Sequence, residues 1–455
     1  MNILEIFYKK MKYEGNLIEK NAHAKFRLLL RVFFNATIIF SLSKIHDIII
    51  YMKKIMSLFV SIMIIVTFCG CSKNNTIQSI SETELFSLDY GNFEEQLSVA
   101  DLNDVGNIRL GIAMRDGFFY IVDGYSKKIM ELNSYGDMLS LFYNEESNTS
   151  ELIQKNPAVA DSIHWEISYP FDYPGQITLD SNKCIYAVCT IPRNRQEQGE
   201  GGILYSQAVL RITRDGSSVD YIGQQGPGGT PFPYIRRIYT TEKDELVVVS
   251  NSSDGLIVYW FGTDGFLRYM VPISTKNTPV IESSSSDTEN YFTLENVIPD
   301  PNNYLLYVKV DYYSSFLDAD SKVQSGINYT QTLLYPLSCD TGLYGEPVSI
   351  PPYEESIVVD YSKLTYKIPY DFLGVTKNGW KFFIIKTDEG FTVEMIQNES
   401  QKILHRNFAL NHSDNLFYDM TLSSDGIITA LYVDKEKARA VWYRTDSLID
   451  AILKN

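Results

Sequence analysis

Short runs of strand-forming residues separated by polar turns recur along this chain, and Arg115–Tyr143 shows the pattern most clearly. Three such runs lie in this stretch, at Phe118–Val122, Lys128–Leu132 and Met138–Tyr143. Gly, Asp, Asn and Ser separate one run from the next. Aromatic and branched residues bounded by such turn formers are the sequence signature of antiparallel strands. The stretch therefore predicts an antiparallel meander.

The same pattern recurs in five further units down the chain. The distance from the first turn to the second is 19 to 21 residues in four of the six units: Gly117 to Gly136, Asp244 to Gly265, Gly379 to Glu399 and Gly426 to Thr445. The other two units are longer because they contain insertions at Arg193–Gly202 and Ser314–Asn328. Four-strand units that repeat at about 40–50 residues are typical of a β-propeller.

The number of blades follows from one unpaired strand. Five units have a strand after their second turn, and the sixth does not. The lone strand Glu82–Leu88 can fill that place, so we expect an all-β, six-bladed propeller over residues 82–446, closed by an N-terminal strand. Two β-sandwiches, the competing architecture, leave the lone strand and the constant spacing unexplained. The last residues, 447–455, have helical spacing and are expected to form a tail that packs on the ring.

Two stretches resemble a known repeat family. DGFFYIVDGYSKKIMELNSYGDML at 116–139 and LRITRDGSSVDYIGQQGPGGTPFPYIRRI at 210–238 resemble NHL-type six-bladed propellers, in particular bacterial lipoproteins of that type. Blades one to three fit the repeat well, and blades four to six are degenerate. The resemblance implies the same six-bladed fold, and it implies no activity because propellers host many functions.

Residues 52–70 have the pattern of a secretory signal peptide. Two lysines follow Met52, and the uncharged run Ile55–Phe68 comes next. This run is shorter than the ~20 residues that span a bilayer. Phe68-Cys69-Gly70-Cys71 resembles a bacterial lipobox, although that family usually has Leu where Phe68 stands. The resemblance implies cleavage after Gly70 and attachment of acyl chains such as palmitate to Cys71. An uncleaved anchor with an incidental cysteine is the alternative.

The segments on either side of this signal complete the N-terminal prediction. The polar residues after Cys71 predict a flexible tether over 71–81. Residues 1–51 precede a signal that belongs at the extreme N-terminus. They are therefore expected to be a mis-annotated upstream extension, or else a genuine helical extension with a second membrane segment. The predicted location is the cell envelope, where the protein is lipid-anchored to a membrane and faces the periplasm or the exterior.

Composition narrows the choice of partners. The chain has 455 residues and a formal net charge of −16. A nucleic-acid-binding protein must neutralise phosphates with Lys and Arg, so no nucleic-acid partner is expected. The five cysteines are too few for a disulfide scaffold. Cys184 and Cys189 lie five residues apart in one predicted strand and point to opposite faces, so we expect free thiols.

The sequence contains little that indicates catalysis. Its five histidines are scattered, and His164, His405 and His412 form no close pair at metal-ligand spacing. There is no HExxH motif, no cysteine pair with zinc spacing and no G-x-S-x-G elbow. The sequence therefore predicts no metal site and no cofactor, and it identifies no catalytic residue.

Aromatic loops are the candidate binding elements. Tyrosine-rich loops on a rigid scaffold offer large contact area at low entropic cost. The candidate residues are Tyr169, Phe171, Tyr173, Phe232, Tyr234, Tyr312, Tyr313 and Phe316. The alternative is that these side chains pack between blades as part of the core.

Two hypotheses of function follow from this reading. The first is a non-enzymatic binding or scaffolding module for an envelope protein or a glycan, held at the membrane by its lipid anchor. The second is a propeller hydrolase or lyase with a metal-assisted site at the central channel. Three or more oxygen ligands around one point in the channel would favour the enzyme, whereas an apolar or plugged channel would favour the binding module.

Overall fold

The computed structural model describes residues 78–98, 109–146, 153–155, 164–213, 217, 220–281, 288–317, 324–359, 362–397, 402–410 and 415–453. All of them lie in the compact unit Ile77–Asn455. The predicted extension over 1–51, the signal peptide over 52–70 with Gly70, Cys71 and the tether residues 71–77 lie outside the described residues.

Six antiparallel sheets form the blades of a β-propeller, and their strands run in chain order from the inside of the ring outward. Blade one has Leu110–Arg115, Phe118–Asp123, Lys128–Leu132 and Met138–Tyr143. Blade two has Ile177–Leu179, Ile185–Thr190, Gln207–Ile212 and Ile222–Gly223. Blade three has Ile235–Thr240, Leu246–Ser252, Gly255–Phe261 and Leu267–Ser274.

The second half of the ring repeats this order with longer strands. Blade four has Thr288–Pro299, Leu305–Leu317, Gln324–Ser338 and Val348–Ile350. Blade five has Asp371–Val375, Lys381–Thr387, Gly390–Gln397 and Lys402–Ala409. Blade six has Phe417–Leu422, Ile428–Val433 and Lys437–Tyr443, with Thr83–Asp89 as its outer strand. The six-bladed fold predicted from the repeat is therefore confirmed.

A hydrophobic core lies between each pair of neighbouring blades, including blades six and one. Phe119 and Met130 of blade one, for example, pack with Leu431 and Ala440 of blade six. Corresponding clusters join the other five pairs of neighbours. Because alternate residues of a strand point to opposite faces, each blade contributes one face to the core before it and one to the core after it. The cores therefore close the ring.

The N-terminal strand closes the ring as the repeat predicted. Thr83–Asp89 runs antiparallel to Lys437–Tyr443, with Thr83 opposite Trp442 and Asp89 opposite Lys437. Phe86 is buried, and its ring packs edge-on against Phe119 of blade one at 5.6 Å. Just before it, Gln78–Ser81 pairs in parallel with the outer strand of blade five. The tether predicted over 71–81 is thus corrected at its end, because residues 78–81 are part of a sheet.

Four features differ from the strands predicted from the sequence. The inner strands Leu110–Arg115 and Thr288–Pro299 were not assigned from the sequence. The insertion predicted over 314–328 belongs largely to two long paired strands of blade four. A separate hairpin of Tyr353–Val359 and Ser362–Ile368 follows the outer strand of blade four.

Smaller elements agree with the sequence reading. The tail forms a helix, Thr445–Leu453, whose Ile449 is buried against blades five and six. Among the described residues, no helix is long and apolar enough to cross a membrane. Cys184 and Cys189 are free thiols, as expected, and Cys189 is buried while Cys184 is half-buried.

The two ends of the ring are built differently. In an antiparallel blade, the connections from strand two to strand three and from strand four to the next blade lie at one end, which we call the loop face. The other connections lie at the opposite end, the turn face. The turns between strands one and two of five blades are short and are linked across blades by hydrogen bonds, such as Glu242 N to Pro301 O and Lys377 N to Ser424 O.

Candidate functional site

The six inner strands surround a central channel with a cavity of about 410 Å³. Residues at the carboxyl ends of all six strands line it, so the cavity lies toward the turn face. Its wall combines backbone, small side chains and apolar groups such as Ile177, Ile298 and Met420. Charged residues, including Arg115, Glu242 and Lys377, lie at its outer turns.

An ion pair reaches across the channel. Arg237 of blade three lies opposite blade six, and its Nη1 is 3.9 Å from Oδ1 of Asp419. The other carboxylate oxygen, Asp419 Oδ2, accepts a hydrogen bond from the backbone N–H of Ile112 at 3.0 Å. Burial raises the pKa of Asp419, and the positive charge of Arg237 opposes this shift. The carboxylate of Asp419 is therefore held by groups of the ring itself.

Other polar side chains of the inner strands link neighbouring blades. Gln176 Nε2 donates to Arg236 O at 2.8 Å, and Arg236 Nη2 donates to Glu295 O at 2.6 Å. Asn296 Nδ2 donates to Phe372 O at 3.0 Å. In the described part of the chain, no group of three His, Cys, Asp or Glu ligands converges in the channel. The described polar groups of the channel thus hold the ring together.

Every insertion of the described chain projects from the loop face. In blade two, strands two and three are joined by a segment with a small hairpin, Glu197–Gln198 and Leu204–Tyr205. In blade four, strands two and three extend into a long arm that ends at Leu317 and Gln324. The hairpin of Tyr353–Val359 and Ser362–Ile368 joins blade four to blade five. These insertions make the loop face the variable and chemically richer end of the ring.

Exposed tyrosines accompany the insertions. Five of them lie at strand starts or connections on the loop face, and they belong to several blades: Tyr125, Tyr173, Tyr234, Tyr291 and Tyr418. Aliphatic side chains of the insertions are exposed beside them: Ile203, Leu204, Ile327 and Leu364. Three large exposed apolar residues, Tyr135, Phe266 and Leu343, lie instead at the turn face. The loop face is therefore the end with more exposed apolar surface.

Tyr173 is one of these exposed tyrosines and packs against two positive side chains. Its ring lies 4.8 Å from Lys127 Nζ and 5.5 Å from the guanidinium carbon of Arg109, within the range of cation–π attraction. Lys127 Nζ also forms a 2.6 Å ion pair with Asp172. These contacts fix the tyrosine before any partner arrives, which lowers the entropic cost of using it in binding.

The structure separates the predicted aromatic residues into two groups. Tyr173 and Tyr234 are exposed, and Tyr313 is half-buried with its ring against Tyr329. Four others are corrected, since their side chains are buried in the cores between blades: Tyr169, Phe171, Phe232 and Tyr312. The side chain of Phe316 lies outside the described part of the chain.

Tyr312 shows why a sequence motif misleads here. Its side chain is 3% exposed, and its hydroxyl donates to Pro279 O at 2.6 Å. The same hydroxyl lies 3.0 Å from the hydroxyl of Tyr335. Tyrosine is amphipathic, so its ring can either be buried, when its hydroxyl has a hydrogen-bond partner, or lie exposed at the surface.

A second polar cluster lies away from the channel, on the outer edge of blade one. The short strand Trp165–Ser168 pairs in parallel with Met138–Tyr143. His164 precedes this strand, and its Nε2 is 3.5 Å from Glu94 Oε2 and 3.9 Å from Glu166 Oε1. Three potential ligand atoms of Glu94, His164 and Glu166 lie within 4.8 Å of one another.

Sequence reasoning missed this cluster because it searched for histidine pairs and zinc-spaced cysteines. The available signal was the His164-Trp165-Glu166 triplet, in which residues two apart share one face of a strand. Glu94 is 70 residues away in the chain, and only the fold brings it to the site. The prediction that the chain has no metal site is taken up again below.

Comparisons with known proteins find only distant structural similarity. No family model matches the chain, and no curated protein matches it. Among solved structures, the polysaccharide lyase Uly1 is 8% identical with a TM-score of 0.38, and the alignment covers 81% of this chain and 99% of that one.

Two other solved structures are similar at the same level. Regucalcin from Agrobacterium tumefaciens is 10% identical with a TM-score of 0.34, over 81% of this chain and 95% of that one. A glucose dehydrogenase is 11% identical with a TM-score of 0.36, over 80% and 99%. Similarity this distant carries no argument about the reaction or ligand of this chain. The class of the protein, a six-bladed β-propeller, rests on its own strand order and closed ring.

Proposed function

We propose that this protein is a non-enzymatic binding module, an NHL-type propeller that presents its loop face to a partner in the cell envelope. The observation that carries the proposal is the concentration of insertions on one end of the ring, together with exposed tyrosines such as Tyr125, Tyr173 and Tyr234. Tyrosine is enriched at binding hot spots because it offers contact area and a hydrogen bond at low entropic cost.

A protein partner fits this face better than a glycan does. Exposed aliphatic residues, including Leu204, Ile327 and Leu364, lie among the tyrosines. Branched apolar side chains match the apolar centre of a protein interface. The projecting hairpins also offer strand edges that another chain can extend. A glycan is the second kind of partner, and the experiment below separates the two.

We favour binding over catalysis because the polar side chains described in the channel form contacts within the ring. Asp419 is held by Arg237 and by the backbone of Ile112. A metal-assisted hydrolase or lyase needs several free ligands around one point, and the described channel residues supply no such group. The hydrolase or lyase hypothesis therefore receives no support from this part of the chain.

We expect substitution of exposed tyrosines on the loop face to weaken binding to isolated envelope fractions. The test variant carries Tyr125→Ala, Tyr173→Ala and Tyr234→Ala, and the matched control carries Tyr135→Ala, Phe266→Ala and Leu343→Ala on the turn face. Loss of hot-spot contacts should weaken binding at least about tenfold in the first variant only. Equal binding by the two variants and the parent would refute the proposed face.

Treating the envelope fraction before the assay identifies the kind of partner. Digestion with a protease should abolish binding if the partner is a protein, and digestion with glycan-cleaving enzymes should leave it intact. The reverse pattern identifies a glycan. Binding of the turn-face control to the untreated fraction at the level of the parent shows that three such substitutions leave the protein folded.

Membrane attachment through Cys71 belongs to the same proposal. The short apolar segment and the lipobox-like Phe68-Cys69-Gly70-Cys71 support it. Two or more acyl chains give stable anchoring to a membrane, which the acidic chain would not achieve by charge attraction. Cys71→Ser should therefore remain unprocessed and lose acyl labelling, whereas Cys69→Ser should be processed as the parent is. Acyl labelling of Cys71→Ser at the level of the parent would contradict the anchor.

A further inference from the structure

We propose that Glu94, His164 and Glu166 form a zinc site on the outer edge of blade one. This site is separate from both the channel and the loop face. It would hold one divalent ion through two carboxylates and one imidazole, with solvent completing the coordination. One imidazole and two carboxylates form a ligand set that suits Zn²⁺.

The distances between the ligand atoms fit an ion at their centre. Tetrahedral Zn²⁺ with bonds of about 2.1 Å separates its ligand atoms by about 3.4 Å. His164 Nε2 lies 3.5 Å from Glu94 Oε2 and 3.9 Å from Glu166 Oε1. Small side-chain rotations would bring all three atoms to bonding distance.

The burial of His164 and the absence of hydrogen-bond partners among the described residues independently indicate a ligand. Its side chain is only 8% exposed, and neither ring nitrogen has a hydrogen-bond partner among the described residues. A buried polar group without a partner lowers the stability of the folded state. His164 Nε2 faces two carboxylates at distances too long for good hydrogen bonds, and a metal ion between them would satisfy all three groups.

The local charge also favours a cation. The carboxyl group of Glu94 is buried, and the carboxylate of Glu166 lies within 4.8 Å of it. Two positive side chains are close: Lys155 Nζ forms a 2.7 Å ion pair with Glu166 Oε1, and the buried Lys128 donates from Nζ to the backbone oxygen of Glu94 at 3.1 Å. Lys155 is largely exposed, so its ammonium group can move into solvent when a metal takes its place. Lys155 would therefore compete with a metal ion for Glu166, and removing its ammonium group gives a direct test of the metal site.

The backbone around the site is fixed before any ion binds. The buried Lys128 donates from Nζ to Glu94 O at 3.1 Å, and Glu94 N donates to Gln154 O at 3.1 Å. His164 and Glu166 are positioned by the strand Trp165–Ser168, whose residue Glu166 pairs with Leu141. Such support of the ligands is what gives metal sites their affinity.

Zinc at this position would tie two segments of the chain together. Glu94 comes from the segment that follows the closing strand Thr83–Asp89, and His164 and Glu166 come from the edge strand of blade one. A bound ion would therefore link the N-terminal segment to blade one. Because binding to the folded state alone stabilises it, zinc should raise the thermal midpoint of the protein.

The test is a zinc titration of the full-length protein after removal of metals with EDTA. Binding of ZnCl₂ is measured by competition with a chromogenic chelator, and the thermal midpoint is recorded with and without zinc. The parent should bind one more zinc ion per chain than His164→Ala. Glu166→Gln removes a direct ligand of the zinc ion. Zinc affinity at this site should therefore fall by at least about 10- to 100-fold, which is the loss typical when only an outer-shell partner is removed.

Two matched variants separate a metal site from an ordinary ion pair. Lys155→Met removes the competing ammonium group and should bind zinc more tightly than the parent. His405→Ala removes the histidine beside Glu394 in blade five and should leave zinc binding unchanged. If His164→Ala fails to fold, the nearly isosteric Glu166→Gln still provides the test. Equal zinc stoichiometry and affinity in the parent and Glu166→Gln would overturn the proposal.

Discussion

Glu394 lies outside the proposed sites and has a strongly raised pKa. It lies on strand three of blade five, is completely buried, and its carboxyl oxygens accept no hydrogen bond from the described residues. His405 Nδ1 on the neighbouring strand is 3.2 Å away. Burial raises the pKa of Glu394 to about 8. The folded protein therefore keeps this carboxyl group protonated at neutral pH.

The raised pKa of Glu394 makes stability fall as pH rises. An unfolded glutamate loses its proton near pH 4.3, whereas the folded protein holds it to about pH 8. Between these values the native state binds more protons, so the free energy of unfolding decreases by up to about 1.4 kcal/mol per pH unit. Glu394→Gln should remove this contribution and be more stable than the parent near pH 8, with a smaller or reversed advantage near pH 5.

Urea denaturation of the two proteins at both pH values checks this prediction. The control is Glu389→Gln, an exposed position in the same blade, which should show no pH-dependent difference from the parent. A difference between Glu394→Gln and the parent that is the same at both pH values would contradict the buried, protonated state.

Single residues also show where sequence reasoning reaches its limit. The aromatic loops were visible in the sequence, but Tyr169, Phe171 and Tyr312 point inward while Tyr173 and Tyr234 point outward. Which way a ring points depends on the packing of two neighbouring blades, and a loop without alternation gives no signal of that. The cluster around His164 was hidden for a related reason, because Glu94 reaches it only through the fold.

The closing strand Thr83–Asp89 is the element whose loss should matter most for stability. Phe86 is buried between blades six and one and contacts Phe119. Removing a buried phenylalanine ring costs about 3–5 kcal/mol, so Phe86→Ala should lower the free energy of unfolding by that order. Chemical denaturation measures the change. Phe266→Ala, at an exposed turn of blade three, should change it by less than about 0.5 kcal/mol.

The outcome of this comparison decides the role of the strand. Similar small losses in Phe86→Ala and Phe266→Ala would show that Thr83–Asp89 does not close the ring in solution. A large loss confined to Phe86→Ala would agree with the pairing to Lys437–Tyr443.

Most strands of the blades could be predicted, and the exceptions have a physical cause. Strands of blade three match because stretches such as 246–249 at the start of Leu246–Ser252 are apolar and buried. The inner strands Leu110–Arg115 and Thr288–Pro299 contain Gly, Arg, Glu or Asn, since part of each inner strand faces the channel and not a core between blades. The arm of blade four extends from the ring, where no core imposes an apolar pattern on its ends.

The whole molecule is asymmetric between its two ends. The turn face carries short turns linked from blade to blade, including Glu242 to Pro301 and Lys377 to Ser424. The loop face carries the three insertions and most of the exposed tyrosines. A closed ring keeps these insertions in fixed positions relative to one another, and this is how a propeller turns loop variation into a specific binding surface. The repeat in the sequence predicted the ring, and the asymmetry appeared only when the strands were placed.

Site-specific photo-cross-linking in native membranes tests the binding face most directly. A photoreactive amino acid replaces Tyr234 on the loop face or Phe266 on the turn face of the full-length protein. Both positions are well exposed, so unspecific contacts should label them equally. The account predicts a discrete cross-linked product from position 234 that is absent from position 266. The same products from both positions, or a discrete product from position 266 alone, would contradict it.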